Sequence, residues 1–181
     1  MTREQLEHIL RAAAQIAAER DVLVIGSQSL LGTFAEDSLP HEATASIEAD
    51  VAFFDDPDDA KADLVDGAIG ELSEFHEAFG IYAQGVSVTT AVLPTGWQER
   101  VVPFATLATA PGRGLCLDPH DCVISKLVAN REKDLAFANA LVREGLIDLD
   151  ILADRLNTIA AHPMVIQLIR DWIAARREDP A

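Results

Sequence analysis

The chain has 181 residues, 49% of them hydrophobic, a composition that suits one compact core and excludes a disordered or fibrous protein. Thirty acidic residues against fourteen basic ones give a formal charge of −16, which excludes nonspecific attraction to nucleic acid unless a local basic patch supplies it. No apolar run reaches the length of a bilayer and the amino terminus lacks the pattern of a secretion signal, so a cytoplasmic protein without membrane contact is expected.

The first half of the chain predicts helices and strands in alternation, because stretches with apolar residues at helical spacing are separated by short apolar runs. The expected elements are, in chain order, a helix at residues 3–19, a strand at 22–25, the first turns of a helix at 28–34, an exposed loop at 36–44, a strand at 47–54 and one helix from an acidic turn at 55–59 to about residue 79.

The second half begins with strands and ends in helices. Alternation over residues 82–93, a turn at 94–97 and a return over 100–104 predict an antiparallel hairpin, with a short strand near 115–117. Helices are then expected at residues 119–130, 131–143, 148–159 and 163–177. The predicted fold class is therefore α+β, a small mixed β-sheet packed by helices with a C-terminal helical bundle. Residues 1–117 are expected to form the α/β core and residues 118–181 to pack on the same cleft, as one compact unit.

Two short motifs carry the candidate chemistry of the first half. Gly26 and Ser27 follow the predicted strand in a tight turn, whose free backbone amides can hold a phosphate. Glu48 and Asp50 lie one residue apart on the next strand and point to the same face, as paired carboxylates that bind a hard divalent cation do. A Gly-Ser turn also occurs in many α/β proteins, and such an acidic pair also occurs on solvent faces. Their combination in this order favours metal-assisted chemistry on a nucleotide.

A third candidate lies in the helical half. If the helix there is continuous, Lys126, Asn130, Lys133 and Asp134 share one face. Lys126 has apolar neighbours, so we expect it either at the wall of a polar cleft, where it grips a triphosphate, or as a snorkelling side chain paired with Asp134. Spacing alone leaves both interpretations open.

The stretches VIGSQSLLGT (24–33), SIEADV (46–51) and SKLVANREKDL (125–135), in this order, resemble the nucleotidyltransferase superfamily with the DNA polymerase β type fold. Within it they resemble the branch of small bacterial proteins that includes AbiEii-like and MenT-like toxins and the DUF6036 proteins. The resemblance covers most of the chain, from about residue 22 to residue 150.

The resemblance implies roles for the motifs of the first half. It implies that Gly26 and Ser27 hold the nucleotide phosphates and that Glu48 and Asp50 bind Mg²⁺ in catalysis. Ser46 occupies the position of a small hydroxyl residue just before the acidic pair, and is assigned to nucleotide binding with them.

The resemblance extends to the helical half. Lys126 and Asp134 match a lysine and an aspartate that the toxin-like branch places near its active site, and both are assigned to catalysis. Asp134 is expected to act as a base or to orient the acceptor hydroxyl. Lys126 and Arg131, which lies in the same stretch, are also nucleotide-binding candidates. The implied reaction transfers a nucleoside monophosphate from a nucleoside triphosphate to an RNA or protein acceptor, with pyrophosphate leaving. A toxin of this kind would also imply an antitoxin-like partner.

The chain departs from the family pattern in three ways. Its first carboxylate is Glu48 instead of aspartate, the stretch between Gly26 and Glu48 is longer than usual, and the later strand offers hydroxyls instead of a third carboxylate over residues 86–92. Two functions therefore stay open. One is an active nucleotidyltransferase, and the other is a catalytically weakened fold that binds a nucleotide or a partner protein.

Overall fold

The fold is built on a five-stranded mixed sheet with the order β3-β2-β1-β5-β4. The computed structural model describes residues 1–178, in which the strands are β1 (Asp21–Val24), β2 (Glu48–Ala52), β3 (Tyr82–Gly85), β4 (Val102–Phe104) and β5 (Arg113–Cys116). The central strand β1 runs antiparallel to β2 and parallel to β5. On the outside, β3 is parallel to β2 and β4 is antiparallel to β5.

Helices cover the sheet on both sides. Within residues 1–178 the α-helices are α1 (Arg3–Ile16), α2 (His41–Thr44), α3 (Ala60–Ile69), α4 (Glu74–Phe79), α5 (Pro119–Ala129), α6 (Glu132–Arg143), α7 (Leu149–Leu156) and α8 (Pro163–Glu178). Short 3-10 helices span Ser27–Gly32, Glu36–Ser38, Val88–Thr90 and Trp97–Arg100. None of the helices in this part of the chain is both long enough and apolar enough to cross a membrane.

Successive side chains of β1 point to opposite faces of the sheet and divide the hydrophobic core into two layers. Val22 and Val24 pack with α1 and α3 on one face of the sheet, whereas Leu23 packs with the C-terminal helices on the other. Ala52 of β2 is opposite Leu23, so the side chains of Glu48 and Asp50, at even spacing from it, belong to the face covered by the C-terminal helices.

The predicted fold class is confirmed. The sheet is small and mixed, helices pack on it, and four successive helices complete the carboxyl-terminal part of the described chain. The expectation that the acidic strand lies beside the strand leading to Gly26 is also confirmed, since β2 pairs directly with β1.

The predicted hairpin between residues 82–93 and 100–104 is wrong. Strand β3 ends at Gly85 and lies at one edge of the sheet, whereas β4 lies at the opposite edge. The intervening apolar side chains, including Val88 and Val92, do not form cross-strand pairs but pack against the core beneath the C-terminal helices. The alternating apolar residues after Gly85 are therefore explained by burial against helices, not by strand pairing. At Gly85 a Cβ atom would lie 1.9 Å from the carbonyl oxygen of Ala62, so a strand end packs tightly there.

Several predicted helix boundaries also differ. The expected helix up to about residue 79 is two helices, because α3 ends at Ile69 and Ser73 caps the start of α4, its hydroxyl accepting a hydrogen bond from His76 N. Residues 28–34 form a 3-10 helix, and the expected loop at 36–44 contains a second one and α2. The predicted division between helices near residues 130 and 131 is confirmed, since Asn130 adopts a left-handed conformation between α5 and α6. The condition for a shared face of Lys126 and Lys133, one continuous helix, is therefore not met.

Candidate active site

A cleft lies between the sheet face that carries Glu48 and Asp50 and the C-terminal helices above it. It consists of two cavities of about 280 and 420 Å³, and both are lined by Asp50, Lys126 and Arg131. The smaller cavity is mainly apolar, with Val86, Val92 and Val128 in its walls. The larger one is polar and charged. A ligand that spans both would therefore pass directly over Asp50.

Gly26 permits a very close approach between the first turn and the acidic strand. A Cβ atom at this position would lie 1.8 Å from Asp50 Oδ2, so no residue other than glycine fits without displacing the carboxylate. The Ile25 N–H donates to the Asp50 carbonyl at 3.1 Å and fixes the two segments in register. The turn and the carboxylate are therefore parts of one surface.

The side chain of Ser27 accepts a hydrogen bond from the buried side-chain amide of Gln28. Gln28 is 1% exposed, and its Nε2 donates to Ser27 Oγ at 3.3 Å. Gln28 Oε1 and Ser29 Oγ are buried without a hydrogen-bond partner among the described residues. Because the Ser27 hydroxyl accepts from Gln28, its own proton is free to point into the larger cavity, which Ser27 lines.

The two carboxylates differ in environment. The Tyr82 hydroxyl donates to Glu48 Oε2 at 2.8 Å and orients that carboxylate. Burial and the negative charge of Glu48 raise the pKa of Asp50 to about 6, while Lys126 and Lys133 act in the opposite direction. Ionisation of Asp50 therefore costs folding free energy, and a bound cation would offset this cost.

The opposite wall is cationic and is organised by a buried aspartate. Asp134 is 2% exposed, and it accepts hydrogen bonds from Arg131 Nε at 2.6 Å and from Arg131 Nη2 at 3.3 Å. Lys126 Nζ lies 3.6 Å from Asp134 Oδ1, and the Lys126 side chain is 17% exposed. Asp134 therefore holds two cations of the cleft in place.

All the residues to which the sequence analysis assigned a role in binding or catalysis line this one cleft, whereas Asn130 lines a separate apolar cavity. Asp50, Lys126 and Arg131 face both cavities, Gly26 faces the smaller one, and the others face the larger one, namely Ser27, Ser46, Glu48 and Asp134. The two interpretations of Lys126 turn out to be compatible, since the side chain lines the cleft and also contacts Asp134. Their roles in binding or catalysis stay predictions.

A sequence model of a protein family, described as a nucleotidyltransferase of unknown function (DUF6036), matches residues 4–172. The chain belongs to this family. The match includes the whole cleft, and the α+β architecture with its mixed sheet is consistent with a nucleotidyltransferase-type fold. No curated protein and no solved structure matches the chain. Membership of the AbiEii-like or MenT-like toxin branch stays a prediction.

The structure of this DUF6036 protein adds residues that sequence reasoning left out of the site. Gln84 and Glu42 line the larger cavity, Tyr82 orients Glu48, and Lys133, which the sequence analysis named without a role, also lines the larger cavity. The signal for Tyr82 and Gln84 was present, because they have the same even spacing as Glu48 and Asp50. The alternating pattern of residues 82–93 is also typical of a hairpin, and it does not indicate that β3 is a parallel partner of β2.

The donor set of the DUF6036 cleft fits a cation that also binds the substrate. Among residues 1–178, no three or more His, Cys, Asp or Glu side chains are grouped to hold a metal ion. The adjacent pair Glu48 and Asp50 suits Mg²⁺, which is commonly held by one or two carboxylates together with substrate phosphates and water.

Proposed function

We propose that this chain is a metal-dependent nucleotidyltransferase that transfers a nucleoside monophosphate from a nucleoside triphosphate to a hydroxyl acceptor. The observation that carries the proposal is the meeting of Gly26, Asp50 and Lys126 at the junction of an apolar and a polar cavity. A nucleotide needs such a junction, because its base is flat and largely apolar while its phosphates are charged.

The triphosphate is expected in the larger cavity. Ser27 supplies a hydroxyl proton there, and Lys126, Arg131 and Lys133 supply positive charge. Ser46 belongs to the same wall, where its hydroxyl accepts a hydrogen bond from Glu48 N at 3.1 Å. Asp134 is assigned a positioning role, since it is buried and its oxygens already contact two cations.

The chemistry is an in-line displacement at the α-phosphorus. The acceptor oxygen forms a bond to this phosphorus, the bond to the bridging oxygen of the β-phosphate breaks, and pyrophosphate leaves with the electron pair. Mg²⁺ held by Glu48 and Asp50 would neutralise the phosphate charge. Asp50 is the carboxylate at the junction of the cavities, and it accepts the proton of the acceptor hydroxyl.

The acceptor is RNA or protein, and the proposed biological role is that of a toxin with an antitoxin-like partner. The charge of −16 favours a protein acceptor, because a polyanionic RNA is repelled at long range. An RNA acceptor depends on the local cations Arg131 and Lys133 at the cleft.

A second candidate function is a nucleotide-binding module without transfer activity. It is favoured by the small donor set, because Glu48 and Asp50 lack a third carboxylate among the described residues. Both functions require nucleotide binding, and only the first requires turnover.

Incubation with triphosphates labelled at the α-phosphate, together with total RNA or total protein, distinguishes the two functions. The enzyme transfers label to one acceptor class, whereas a γ-phosphate label is released with pyrophosphate. Asp50→Ala is expected to abolish transfer, and Asp63→Ala, which removes an exposed acid on α3, to retain it. Nucleotide binding without transfer would favour the module, and an absence of binding would overturn both proposals. Growth arrest on expression of the parent, but not of Asp50→Ala, tests the toxin role.

A further inference from the structure

Strand β3 places a second pair of side chains beside the acidic pair. It runs parallel to β2, with Tyr82 opposite Glu48 and Gln84 opposite Asp50. Side chains at paired positions of neighbouring strands point to the same face, and the strands lie about 4.8 Å apart. Glu48, Asp50, Tyr82 and Gln84 therefore form a small square on the face of the sheet that lines the cleft.

One of the two cross-strand pairs in this group is close enough to form a hydrogen bond. The Tyr82 hydroxyl donates to Glu48 Oε2 at 2.8 Å across the two strands. The neighbouring pair, Asp50 and Gln84, has the same register and the same facing, and both residues line the larger cavity.

Gln84 is not committed to another contact in the described part of the chain. Gln84 is exposed, and its side-chain amide takes part in none of the side-chain hydrogen bonds among residues 1–178. By contrast, Tyr82 and Glu48 are occupied with each other. An uncharged oxygen next to Asp50 is thus available to a ligand in the cleft.

We propose that the amide oxygen of Gln84 is the third protein ligand of the divalent cation, beside the carboxylates of Glu48 and Asp50. The inference rests on the proposed function, because it needs a cation at the acidic pair. Carbonyl oxygens are suitable ligands for Mg²⁺ and Mn²⁺ but carry no net charge. Gln84 completes the coordination without adding the charge that a third carboxylate would bring. The cation then binds tightly only when triphosphate oxygens supply the missing negative charge.

Metal titration of the intact protein tests this arrangement. Mn²⁺ binding is measured by electron paramagnetic resonance and Mg²⁺ binding by calorimetry, each with and without a non-hydrolysable nucleoside triphosphate. For the parent, we expect weak metal binding alone and much tighter binding with the nucleotide. Gln84→Glu should tighten nucleotide-free binding by about tenfold, since a neutral ligand becomes an ionised one. Gln84→Ala should weaken binding in the presence of the nucleotide by about tenfold, with no change in charge.

Two controls separate coordination from indirect effects. Gln98→Glu adds the same charge at an exposed position that lines neither cavity, and it should leave metal affinity unchanged. The gain from Gln84→Glu should persist in 0.5 M NaCl, because screening at high salt removes distant charge effects but not direct coordination. Unfolding curves verify that all variants are folded, and the exposed position of Gln84 makes this the expected result.

The outcomes distinguish this inference from the proposed function. If the parent binds a metal with the triphosphate and Gln84→Ala binds it equally well, the role of Gln84 is overturned and the proposed function stands. If Gln84→Glu improves affinity no more than Gln98→Glu does, the role is likewise overturned. If the parent binds neither metal nor triphosphate, both are overturned.

Discussion

Asp50 is the residue whose chemistry most directly links the fold to the proposed activity. Its carboxylate lies against Gly26, next to Glu48, and across the cleft from Lys126. The pKa of Asp50 is raised to about 6, first by burial and then by the charge of Glu48. A carboxylate with a pKa raised in this way is typical of a functional site, and its ionisation lowers the stability of the protein.

Replacement of Asp50 by asparagine should therefore stabilise the protein while abolishing transfer. An acid whose pKa is higher in the folded state than in the unfolded state destabilises the fold when it is ionised, so the difference grows as the pH rises from 4 to 6. Above pH 6 we expect a gain in the free energy of unfolding of up to about 3 kcal/mol, and at pH 4 little gain. Urea unfolding of the parent and Asp50→Asn at pH 4 and 7.5 measures both values.

The matched control is Asp63→Asn, an exposed position on α3, which should not reproduce this pH-dependent gain. Equal stability of Asp50→Asn and the parent at pH 7.5 would contradict the conclusion that ionised Asp50 destabilises the fold.

Lys126 supplies the second prediction at this scale. Its ammonium lines both cavities and lies 3.6 Å from Asp134. Lys126→Ala should weaken binding of a non-hydrolysable triphosphate with Mg²⁺ by about tenfold or more, because the proposed phosphate contact in a partly buried cleft would be lost. The fold should persist, since Arg131 still pairs with Asp134.

Calorimetric titration of Lys126→Ala against the parent provides this measurement. Lys61→Ala serves as the comparison, because Lys61 pairs with Glu19 at 3.1 Å and lines neither cavity. Undiminished nucleotide binding by Lys126→Ala would remove Lys126 from the proposed site.

At the scale of elements, α5 is the helix that brings Lys126 to the sheet, and a buried ion network fixes its amino-terminal end. Asp121 is fully buried and accepts from Arg100 Nε at 2.9 Å, and Arg155 lies 3.0 Å from it. Asp118 caps the helix by accepting from His120 N and also contacts Arg155. Burial alone would raise the pKa of Asp118, but the hydrogen bonds from His120 and Arg155 hold it well below its ordinary value.

Removal of the central carboxylate should be costly. Asp121→Ala leaves the partly exposed Arg100 without this partner, while Arg155 keeps Asp118, and we expect a loss of about 1–3 kcal/mol in the free energy of unfolding. Glu99→Ala, an exposed acid in the adjacent 3-10 helix, should change stability by less than about 0.5 kcal/mol. Guanidinium unfolding of both variants makes the comparison, and a small effect of Asp121→Ala would show that α5 is not held by this network.

For the whole molecule, the charge of −16 is the dominant electrostatic property. A large net charge of one sign destabilises the compact state through self-repulsion, and salt screens that repulsion. Raising NaCl from 20 to 500 mM should therefore increase the melting temperature by about 2–4 °C, the change that ~1 kcal/mol produces in a domain of this size.

Differential scanning calorimetry of the parent and Asp50→Ala tests this expectation. Both should respond equally to NaCl, because the effect belongs to the whole surface. Only the parent should gain additional stability from Mg²⁺ with a triphosphate, since that gain requires the cleft. A melting temperature that falls with NaCl would indicate that attractive ion pairs, such as those around Asp121, outweigh the repulsion.

The sequence alone determined the features that depend on local order. The strand before Gly26, the even spacing of Glu48 and Asp50, and the apolar helix that carries Lys126 could all be recognised because strand and helix periods are local properties. The tertiary structure decided which segments are neighbours. Parallel pairing of β3 with β2, and with it the placement of Gln84, depends on how distant apolar side chains are buried beneath the C-terminal helices. Long-range burial of this kind leaves the same local pattern as a hairpin, so only the folded chain distinguishes them.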